Sequence, residues 1–368
     1  MRIVDSYELS PTQEGMLFHG LLGEATGVDL EQIVCSIRGD FDEQAFLAAF
    51  QKVLARHAIL RTRFSYEGTG RPVQEVLESV QIPVERLDLR SVEPSERSRH
   101  LLETLRLDRA RDVDLQLAPA MRLLVVAWNP DEHSVVWTFH HALLDGRSFP
   151  LVLREVFAFY GAATEGRTLD LPLPRPYREY IGFLRGLDLG SAETYWRDYL
   201  KGFTAPTPLV IDRALVDEGR TTAIQGVSEQ RLSMETTTAL RTFAASQGVT
   251  LNTLLQTAWA ILLHRYSREA DVVFGATRAC RRSAFADADQ MVGLFINTLP
   301  LRVRISPEKR LGDLLKEVRA LQVGSRQHEH TPLARVQSWS EVPRGRALFD
   351  TIVVYENCTL DTMLPVPD

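Results

Sequence analysis

Residues 135–148 read VVWTFHHALLDGRS, a run of β-branched and aromatic residues that ends in two adjacent histidines. This composition predicts a strand through His140. Because consecutive side chains of a strand point to opposite faces, only one of His140 and His141 can face a given cleft while the strand persists. Gly146 permits a tight backbone turn. Asp145, if buried at that turn, needs a cation or hydrogen bonds to remain ionised.

An imidazole, whose pKa lies near neutrality, is suited to general acid–base chemistry at the end of a strand. A packed or solvated histidine is the more common case and is the alternative for each of the two. The pattern HHxxxD could also supply metal ligands, but zinc needs three or four. The other histidine cluster is HEH at 328–330, which we interpret as a solvated loop, and the HExxH spacing is absent. We therefore predict no metal site.

The composition is that of an ordinary globular protein, with 368 residues, of which 45% are hydrophobic and 24% charged. The 42 basic and 48 acidic residues give a formal net charge of −6, so no strong basic field exists for nucleic acid or an anionic membrane. The longest apolar run, within 254–263, is far shorter than the ~20 residues of a membrane span. The first ten residues lack the apolar core of a secretory signal. We expect a cytoplasmic protein.

The three cysteines are Cys35, Cys280 and Cys358. They are an odd number, lie far apart and form no CxxC pair. This pattern argues against both a disulfide framework and a thiolate zinc knuckle.

Helix and strand patterns alternate on both sides of a proline-rich segment, LDLPLPRP at 169–176, which we interpret as a linker. The length predicts two domains, and the mixture favours an α/β or α+β architecture of two similar lobes. Ser10 and Gln13 are interpreted as capping residues of the first helix. The predicted strands lie at 32–38, 60–64, 72–77, 121–128, 133–140, 227–232, 271–277, 298–305 and 349–357, and the predicted helices at 10–22, 43–57, 96–110, 148–163, 177–187, 191–203, 250–266 and 310–322.

Seven segments, in the same order, resemble the motifs of the condensation domains of non-ribosomal peptide synthetases. That family carries HHxxxDG, whereas the wider CoA-dependent acyltransferases carry the looser HxxxDG. The segments are LSPTQEGMLFHGL (9–21), RHAILRTRF (56–64), HHALLDG (140–146), RPYREYIGFL (175–184), MVGLFINTLPLRV (291–303), EHTPLARVQ (329–337) and RGRALFDTIVVYEN (344–357). The resemblance covers nearly the whole chain, and seven ordered motifs are far more specific than HHxxxDG alone.

The resemblance implies two chloramphenicol-acetyltransferase-like lobes arranged in a V as a pseudo-dimer, with the active site between them and a tunnel from each side. Residues 1–172 would form the N-terminal lobe, which carries HHxxxDG, and residues 173–368 the C-terminal lobe. Members of the family continue beyond the ENxxL region, so we expect the second lobe to be truncated at its C-terminus.

The activity implied by the resemblance is formation of an amide bond. The amine of an acceptor aminoacyl thioester attacks a donor acyl or peptidyl thioester, and each is held on the phosphopantetheine arm of a carrier protein. His141 matches the residue that either takes the proton of the amine or holds the amine and the tetrahedral intermediate. His140 matches a structural partner. The backbone N–H of Gly146 is a plausible oxyanion donor.

The resemblance also implies roles for residues around the site. Asp145 matches an aspartate that points away from the substrate and pairs with the arginine of the second motif, here Arg61 or, as the weaker choice, Arg63. Asn297 resembles a residue that faces the tunnel, with a strand-end amide that satisfies backbone groups as the alternative.

Two departures from the family pattern concern arginines. Arg147 stands where the family has an aromatic residue, so it can meet a carboxylate or phosphate of an arm or turn to solvent. In GATRACRRSAF (275–285), Arg281 matches the family, but Cys280 and Arg282 do not. We interpret this basic cluster as a contact for phosphopantetheine or for the acidic surface of a carrier, or as a solvated loop.

The implied partners are donor and acceptor carrier proteins and an adjacent adenylation domain, since neither a carrier motif nor an adenylation motif is present in this sequence. No directly bound cofactor is implied. The resemblance places the protein in the biosynthesis of antibiotics and other secondary metabolites. The alternatives are an inactive recruitment module that keeps the fold, and an epimerising, ester-forming or CoA-dependent relative.

Overall fold

A computed structural model describes residues 2–21, 27–66, 70–209 and 226–356. Within these ranges the chain forms two compact units. The first contains the residues up to Gly186 together with 284–295, and the second contains 187–283 and 296–356. Each unit combines helices with a β-sheet, so the prediction of a mixed α/β fold is confirmed.

Twelve of the described helices and strands precede residue 187, and eight follow it. The first group is β1 (Ile3–Glu8), α1 (Pro11–Leu21), β2 (Leu30–Arg38), α2 (Glu43–Arg56), β3 (Thr62–Ser65), β4 (Val73–Leu77), β5 (Val84–Asp88), α3 (Pro94–Ala110), β6 (Met121–Asn129), β7 (Glu132–His140), α4 (Ser148–Thr164) and α5 (Arg178–Arg185). The second group is α6 (Leu189–Leu200), α7 (Met234–Ser246), α8 (Leu251–Ser267), β8 (Asp271–Arg278), β9 (Asn297–Arg304), α9 (Leu311–Gly324), α10 (Leu333–Trp339) and β10 (Ile352–Val353). Three short 3-10 turns lie at Ala58–Arg61, Ala288–Gln290 and Ser325–His328.

Strand β7 lies inside the larger sheet of the first unit, whose strand order is β2–β7–β6–β5. It pairs antiparallel with β2 and β6 along its whole length. On one face, Trp137 and Phe139 are fully buried, and the Trp137 ring contacts Phe50 of α2 at a centroid distance of 5.4 Å. Burial on both faces explains the almost unbroken apolar run. The strand is therefore well supported up to its last residue, His140.

The opposite face of this sheet is covered by α3, which is joined to it through Asp108. The carboxylate of Asp108 accepts hydrogen bonds from Gln32 of β2 (2.8 Å), Arg122 of β6 (2.6 Å) and Thr138 of β7 (2.7 Å). Leu101 and Leu105 of the same helix are partly buried and pack against a cluster that contains Leu124 and Val126 of β6. Helix α3 is therefore held by apolar packing together with the polar contacts of Asp108.

A smaller sheet of the first unit has the order β1–β4–β3, with β4 in the middle. The strands predicted at 60–64 and 72–77 are confirmed as β3 and β4, which pair antiparallel. Gln74 of β4 is fully buried, and it lies next to the first turn of α1, as described below.

The second unit is built on the sheet β10–β8–β9, in which β8 and β9 are antiparallel. Helices α8 and α9 contribute Leu263 and Val318 to the core that also contains Phe274 and Leu301 of the sheet. Arg302 of β9 is almost fully buried, and it binds Asp271 at the start of β8 (Nη2–Oδ2 2.6 Å).

The boundary between the units differs from the expected position between residues 172 and 173. The guanidinium of Arg56 donates to the carbonyl oxygens of residues 171 and 172 at 3.2 and 2.8 Å, which ties the proline-rich segment to α2. Helix α5 then buries Tyr180 and Ile181 in the core of the first unit. The first unit therefore continues to Gly186, and 284–295 also belongs to it.

Some predicted elements are wrong or incomplete. Residues 227–232 form no strand, because the segment pairs with no strand among the described residues. Val227 is 98% exposed. The predicted strand at 349–357 is reduced to β10. Strands β1 and β5 and helices α7 and α10 were not predicted. Cys358 and Asn357 lie outside the described residues, whereas Cys35 and Cys280 are free thiols. None of the described helices is long and apolar enough to cross a membrane.

Candidate active site

His140 is the last residue of β7 and packs inside the first unit. Its side chain is 6% exposed, and its backbone N–H donates to Ala120 O (3.0 Å). The ring Nδ1 accepts the backbone N–H of Ala142 at 3.1 Å, so the neutral ring carries its proton on Nε2. Burial lowers the pKa of His140 against the opposing pull of Asp29. This ring is therefore held neutral, and its Nδ1 faces the backbone of the turn that follows the strand.

His141 is the first residue beyond the strand. Its backbone N–H donates to Asp29 O (2.7 Å), and its carbonyl accepts the N–H of Leu144 (3.2 Å). The side chain is only partly buried, and its Nδ1 is enclosed without a hydrogen-bond partner among the described residues. The backbone of His141 is thus held by hydrogen bonds of both its N–H and its carbonyl.

Asp145 is 2% exposed and serves as an acceptor for backbone N–H groups. Its Oδ1 accepts Ser148 N (2.9 Å) and Arg147 N (3.2 Å), and its Oδ2 accepts Phe295 N (3.0 Å). Asp145 therefore ties the first turn of α4 to the segment 291–295.

The structure does not bring Arg61 to Asp145, so the expected pair is wrong for the described residues. Arg61 ends a 3-10 turn, and its Nη1 donates to the carbonyl oxygens of Leu77 and of Glu78 (3.2 Å for the latter). Arg63 instead binds Glu75 (2.8 Å). Both arginines flank the start of β3, and their side chains bind along the neighbouring strand β4 or just beyond its end.

Ser148 and Gly293 form a contact that the sequence did not reveal. The Ser148 hydroxyl donates to Gly293 O (2.6 Å) and accepts Gly293 N (3.0 Å). Tyr177 packs across the same glycine, where an added Cβ would lie 2.2 Å from the Tyr177 ring, and its hydroxyl donates to Leu294 O (2.6 Å). The signal available in the sequence was the glycine inside the apolar run MVGLF.

Gly146 and Arg147 lie at the entrance to α4. The backbone N–H of Gly146 donates to no protein acceptor within the described ranges. The side chain of Arg147 is 35% exposed, and its Nη2 lies 3.9 Å from Asp289 Oδ1. At that distance, between partly exposed groups, the ion pair is weak.

The opening motif reaches the same turn through Gln13 of α1, which is fully buried. Ser10 and Gln13 form the predicted cap: Ser10 Oγ accepts Gln13 N (3.2 Å), and Gln13 Oε1 accepts Ser10 N (2.8 Å). In addition, Gln13 Nε2 donates to Ala142 O (3.0 Å), the residue after His141. This second contact was not predicted.

Asn297 and Arg281 belong to the second unit, and both are buried, at 8% and 1% exposure. The Asn297 amide nitrogen donates to Glu329 O (2.9 Å) and Thr331 O (2.8 Å). This is the strand-end role that the sequence left as the alternative to a tunnel residue. Arg281 lies in the segment that follows β8, and its burial rules out a freely solvated side chain.

A cavity of about 250 Å³ lies in the second unit, between the start of α6 and the turn 327–331. Asp188, His328 and His330 line it, and burial lowers the pKa of both histidines. His330 is 6% exposed, which corrects the expectation of a solvated loop at 328–330. No group of three or more histidine, cysteine or acidic side chains within the described residues could hold a metal ion.

The order and spacing of the motifs can be compared with known families. The sequence model of the condensation domain family matches residues 3–364. The chain belongs to this family. A linear gramicidin synthase chain of Brevibacillus parabrevis is 43% identical over 357 residues, which are 97% of this chain and 7% of that protein. Chondramide synthase of Chondromyces crocatus is 41% identical over 342 residues, which are 93% of this chain and 9% of that protein.

This condensation domain therefore spans less than a tenth of the length of those two relatives. The first condensation domain of the calcium-dependent antibiotic synthetase, in complex with a substrate analogue, has the same fold. Its TM-score is 0.78 at 18% identity, over 97% of this chain and 82% of that one. The family match includes HHxxxDG, the opening motif and MVGLF, so the contacts described above lie within the shared domain.

Proposed function

We propose that this condensation domain forms an amide bond between a donor acyl or peptidyl thioester and the amine of an acceptor aminoacyl thioester. The observation that carries the proposal is the placement of His141. Its ring Nδ1 has no hydrogen-bond partner among the described residues, and the residue follows a strand that is paired on both sides. The N–H of Gly146, which donates to no protein acceptor in the described ranges, lies in the same turn. A nearby base and an oxyanion donor are the two elements that acyl transfer requires.

The proposed reaction proceeds by addition and elimination. The acceptor nitrogen attacks the donor carbonyl, and a C–N bond forms while the carbonyl oxygen gains negative charge. The N–H of Gly146 donates to that oxygen. His141 receives the proton of the amine, or orients the amine so that its lone pair meets the carbonyl. The C–S bond then breaks, and the proton passes to the leaving thiolate.

The neighbouring residues have supporting roles in this proposal. His140 and Asp145 hold the turn and do not touch substrate. Among the three proposed tunnel residues, Arg147 has a partly exposed side chain, whereas the other two are buried. We therefore propose that Arg147 binds an anionic group of an incoming phosphopantetheine arm. We assign no substrate contact to Asn297 and Arg281, because the amide nitrogen of the first is engaged by two carbonyls and the second is buried.

The proposed partners are two carrier proteins, which present donor and acceptor on phosphopantetheine arms, and an adenylation domain in the same assembly. We further propose that the reaction belongs to the biosynthesis of an antibiotic or related metabolite in the cytoplasm; similarity to a linear gramicidin synthase and to a domain of an antibiotic synthetase supports the biosynthetic class. We also propose that the two units correspond to the two chloramphenicol-acetyltransferase-like lobes of the family.

Single-turnover peptide formation tests the proposal. The protein is mixed with a panel of aminoacyl groups loaded on a donor carrier and an acceptor carrier, and products are followed by mass spectrometry. We expect a dipeptidyl thioester with wild type and a rate lower by roughly 10²–10⁴-fold with His141→Ala, the range of general-base catalysis. His19→Ala, on the exposed side of α1, is the control and should retain the wild-type rate.

Three results would redirect the proposal. Equal rates for wild type and His141→Ala would remove His141 from the mechanism. Product from an acyl-CoA donor but from no carrier-bound donor would indicate a CoA-dependent acyltransferase. No product from folded wild type across the whole panel would overturn amide formation and favour a recruitment module.

A further inference from the structure

The side chain of Gln13 makes more contacts than a helix cap needs. The cap uses the Gln13 backbone N–H and side-chain oxygen, which bind Ser10 at 3.2 and 2.8 Å. A glutamate at this position would complete the same box. The Nε2 group of Gln13, which a carboxylate lacks, is therefore unexplained by capping.

That Nε2 group reaches the turn of HHxxxDG from a distant part of the chain. It donates to Ala142 O at 3.0 Å and approaches Gln74 Oε1 at 3.4 Å. Gln74 in turn donates to Gln13 Oε1 (3.1 Å) and to Glu8 O (2.9 Å). Both glutamines are fully buried, and the opposite orientation of the Gln13 amide would place like groups face to face. The two amides thus form one satisfied network.

Ala142 is the residue through which this network can act on His141. Its N–H donates to His140 Nδ1 (3.1 Å), and its carbonyl receives Gln13 Nε2. The peptide groups on both sides of Ala142 are therefore held by side chains, directly after His141. Loss of the Gln13 contact would leave a buried carbonyl without its donor and free the turn to rotate.

We propose that Gln13 is a positioning residue for His141, supported by Gln74, and acts through the carbonyl of Ala142. The inference rests on the proposed catalytic role of His141. Gln13 touches no substrate; it holds the backbone from which the imidazole projects. A displacement of about 1 Å at a reacting group can cost on the order of 10²-fold in rate.

The test compares two variants that separate capping from positioning. Gln13→Glu keeps the capping oxygen and replaces the Nε2 amide with a carboxyl oxygen. Because burial favours the protonated carboxyl, which could itself donate to Ala142 O, wild type and this variant are compared over a pH series up to about 10. Gln13→Met removes both polar atoms at similar volume. Gln51→Met is the matched control, because Gln51 also donates from a helix to a backbone carbonyl of the first unit, Val80 O at 2.5 Å, away from the turn.

Two readouts are measured for each folded variant, the single-turnover rate and the ring NMR signals of His141. We expect both Gln13 variants to lose about 10-fold to 100-fold in rate and to shift the His141 signals, while Gln51→Met changes neither. Wild-type rate and unshifted His141 signals in folded Gln13→Met, or in folded Gln13→Glu at the top of the pH series, would overturn the inference, as would an equal rate loss in Gln51→Met. If Gln13→Met does not fold, Gln13→Glu, with its cap intact, decides.

The outcome is separable from that of the proposed function. If wild type forms no amide, the proposed function fails, and the His141 signals still report whether Gln13 positions the ring. If wild type is active and the Gln13 variants match it in rate and spectrum, the function stands and this inference fails.

Discussion

The carboxylate of Asp145 joins two segments that are 150 residues apart through three backbone N–H groups. In Asp145→Asn, one carboxylate oxygen becomes an NH₂ group, which would face at least one of those donors. We expect a loss of at least about 2 kcal/mol in the free energy of unfolding, the cost of a buried unsatisfied donor. Urea unfolding measures this loss. Asp131→Asn, in the exposed turn between β6 and β7, is the control, and an unchanged unfolding midpoint for Asp145→Asn would contradict the assignment.

The partners of Asp145 also show which residues of the candidate site the sequence could reveal. His140, His141 and Gly146 form one local pattern. Their chemistry follows from residue type, and the placement of the two histidines on opposite faces follows from their adjacent positions. The three backbone donors to Asp145 described above do not follow from such a pattern, because backbone N–H groups carry no residue identity. The wrong assignment of Arg61 has the same origin: a motif indicates that a cation is present, but not which carbonyls capture it.

At the scale of elements, the docking of α3 depends on Asp108. Burial raises the pKa of this carboxyl, but the bonds from Arg122, Thr138 and Gln32 outweigh burial and hold the pKa below its ordinary value of 3.8. The stabilisation is therefore complete well above pH 4 and is lost as the pH falls through the lowered pKa. We expect Asp108→Asn to cost about 3 kcal/mol at neutral pH, because it leaves Arg122 without its charged partner.

The measurement for Asp108 is urea unfolding of wild type and variant at a series of pH values. The difference between them should shrink as the pH falls below about 4. Glu103→Gln, an exposed residue of the same helix, should leave the midpoint unchanged. A constant difference at all pH values would mean that the charge of Asp108 is not what holds α3.

Elements with strong periodicity were predicted well, and those without it were not. Helices α2 and α8 carry capping residues, Asp42 and Thr250, whose side chains accept N–H groups of the first turn. Strand β5, with the sequence VERLD, has two charged residues among its first three because it lies at the edge of the sheet. Its pairing with β6 comes from the neighbouring strand and not from its own pattern. Conversely, 227–232 has strand-like residues but pairs with no described strand.

At the scale of the whole molecule, the division of the chain is not sequential. The first unit takes in 284–295 from between two stretches of the second unit. The sequence predicted a single boundary at a proline-rich segment, and composition gives no sign that a later segment returns. The apolar run MVGLF was visible, but periodicity alone does not say which core it enters.

This division predicts how a fragment behaves. Residues 1–186 alone would lack Met291, Val292 and Phe295, which are 1%, 2% and 0% exposed in the core of the first unit. Removing large core side chains costs about 2–5 kcal/mol each, which together approaches the whole stability of a domain, about 5–15 kcal/mol. We therefore expect the fragment to show no cooperative thermal transition by circular dichroism, and a fragment with 284–295 fused through a flexible linker to regain one.

A fusion carrying the same twelve residues in scrambled order should behave like the bare fragment. A cooperative transition at the same temperature in the fragment and in both fusions would show that 284–295 contributes nothing to that core. The hydrogen bonds that join this segment to Asp145 and Ser148 would then have to form after the unit has folded.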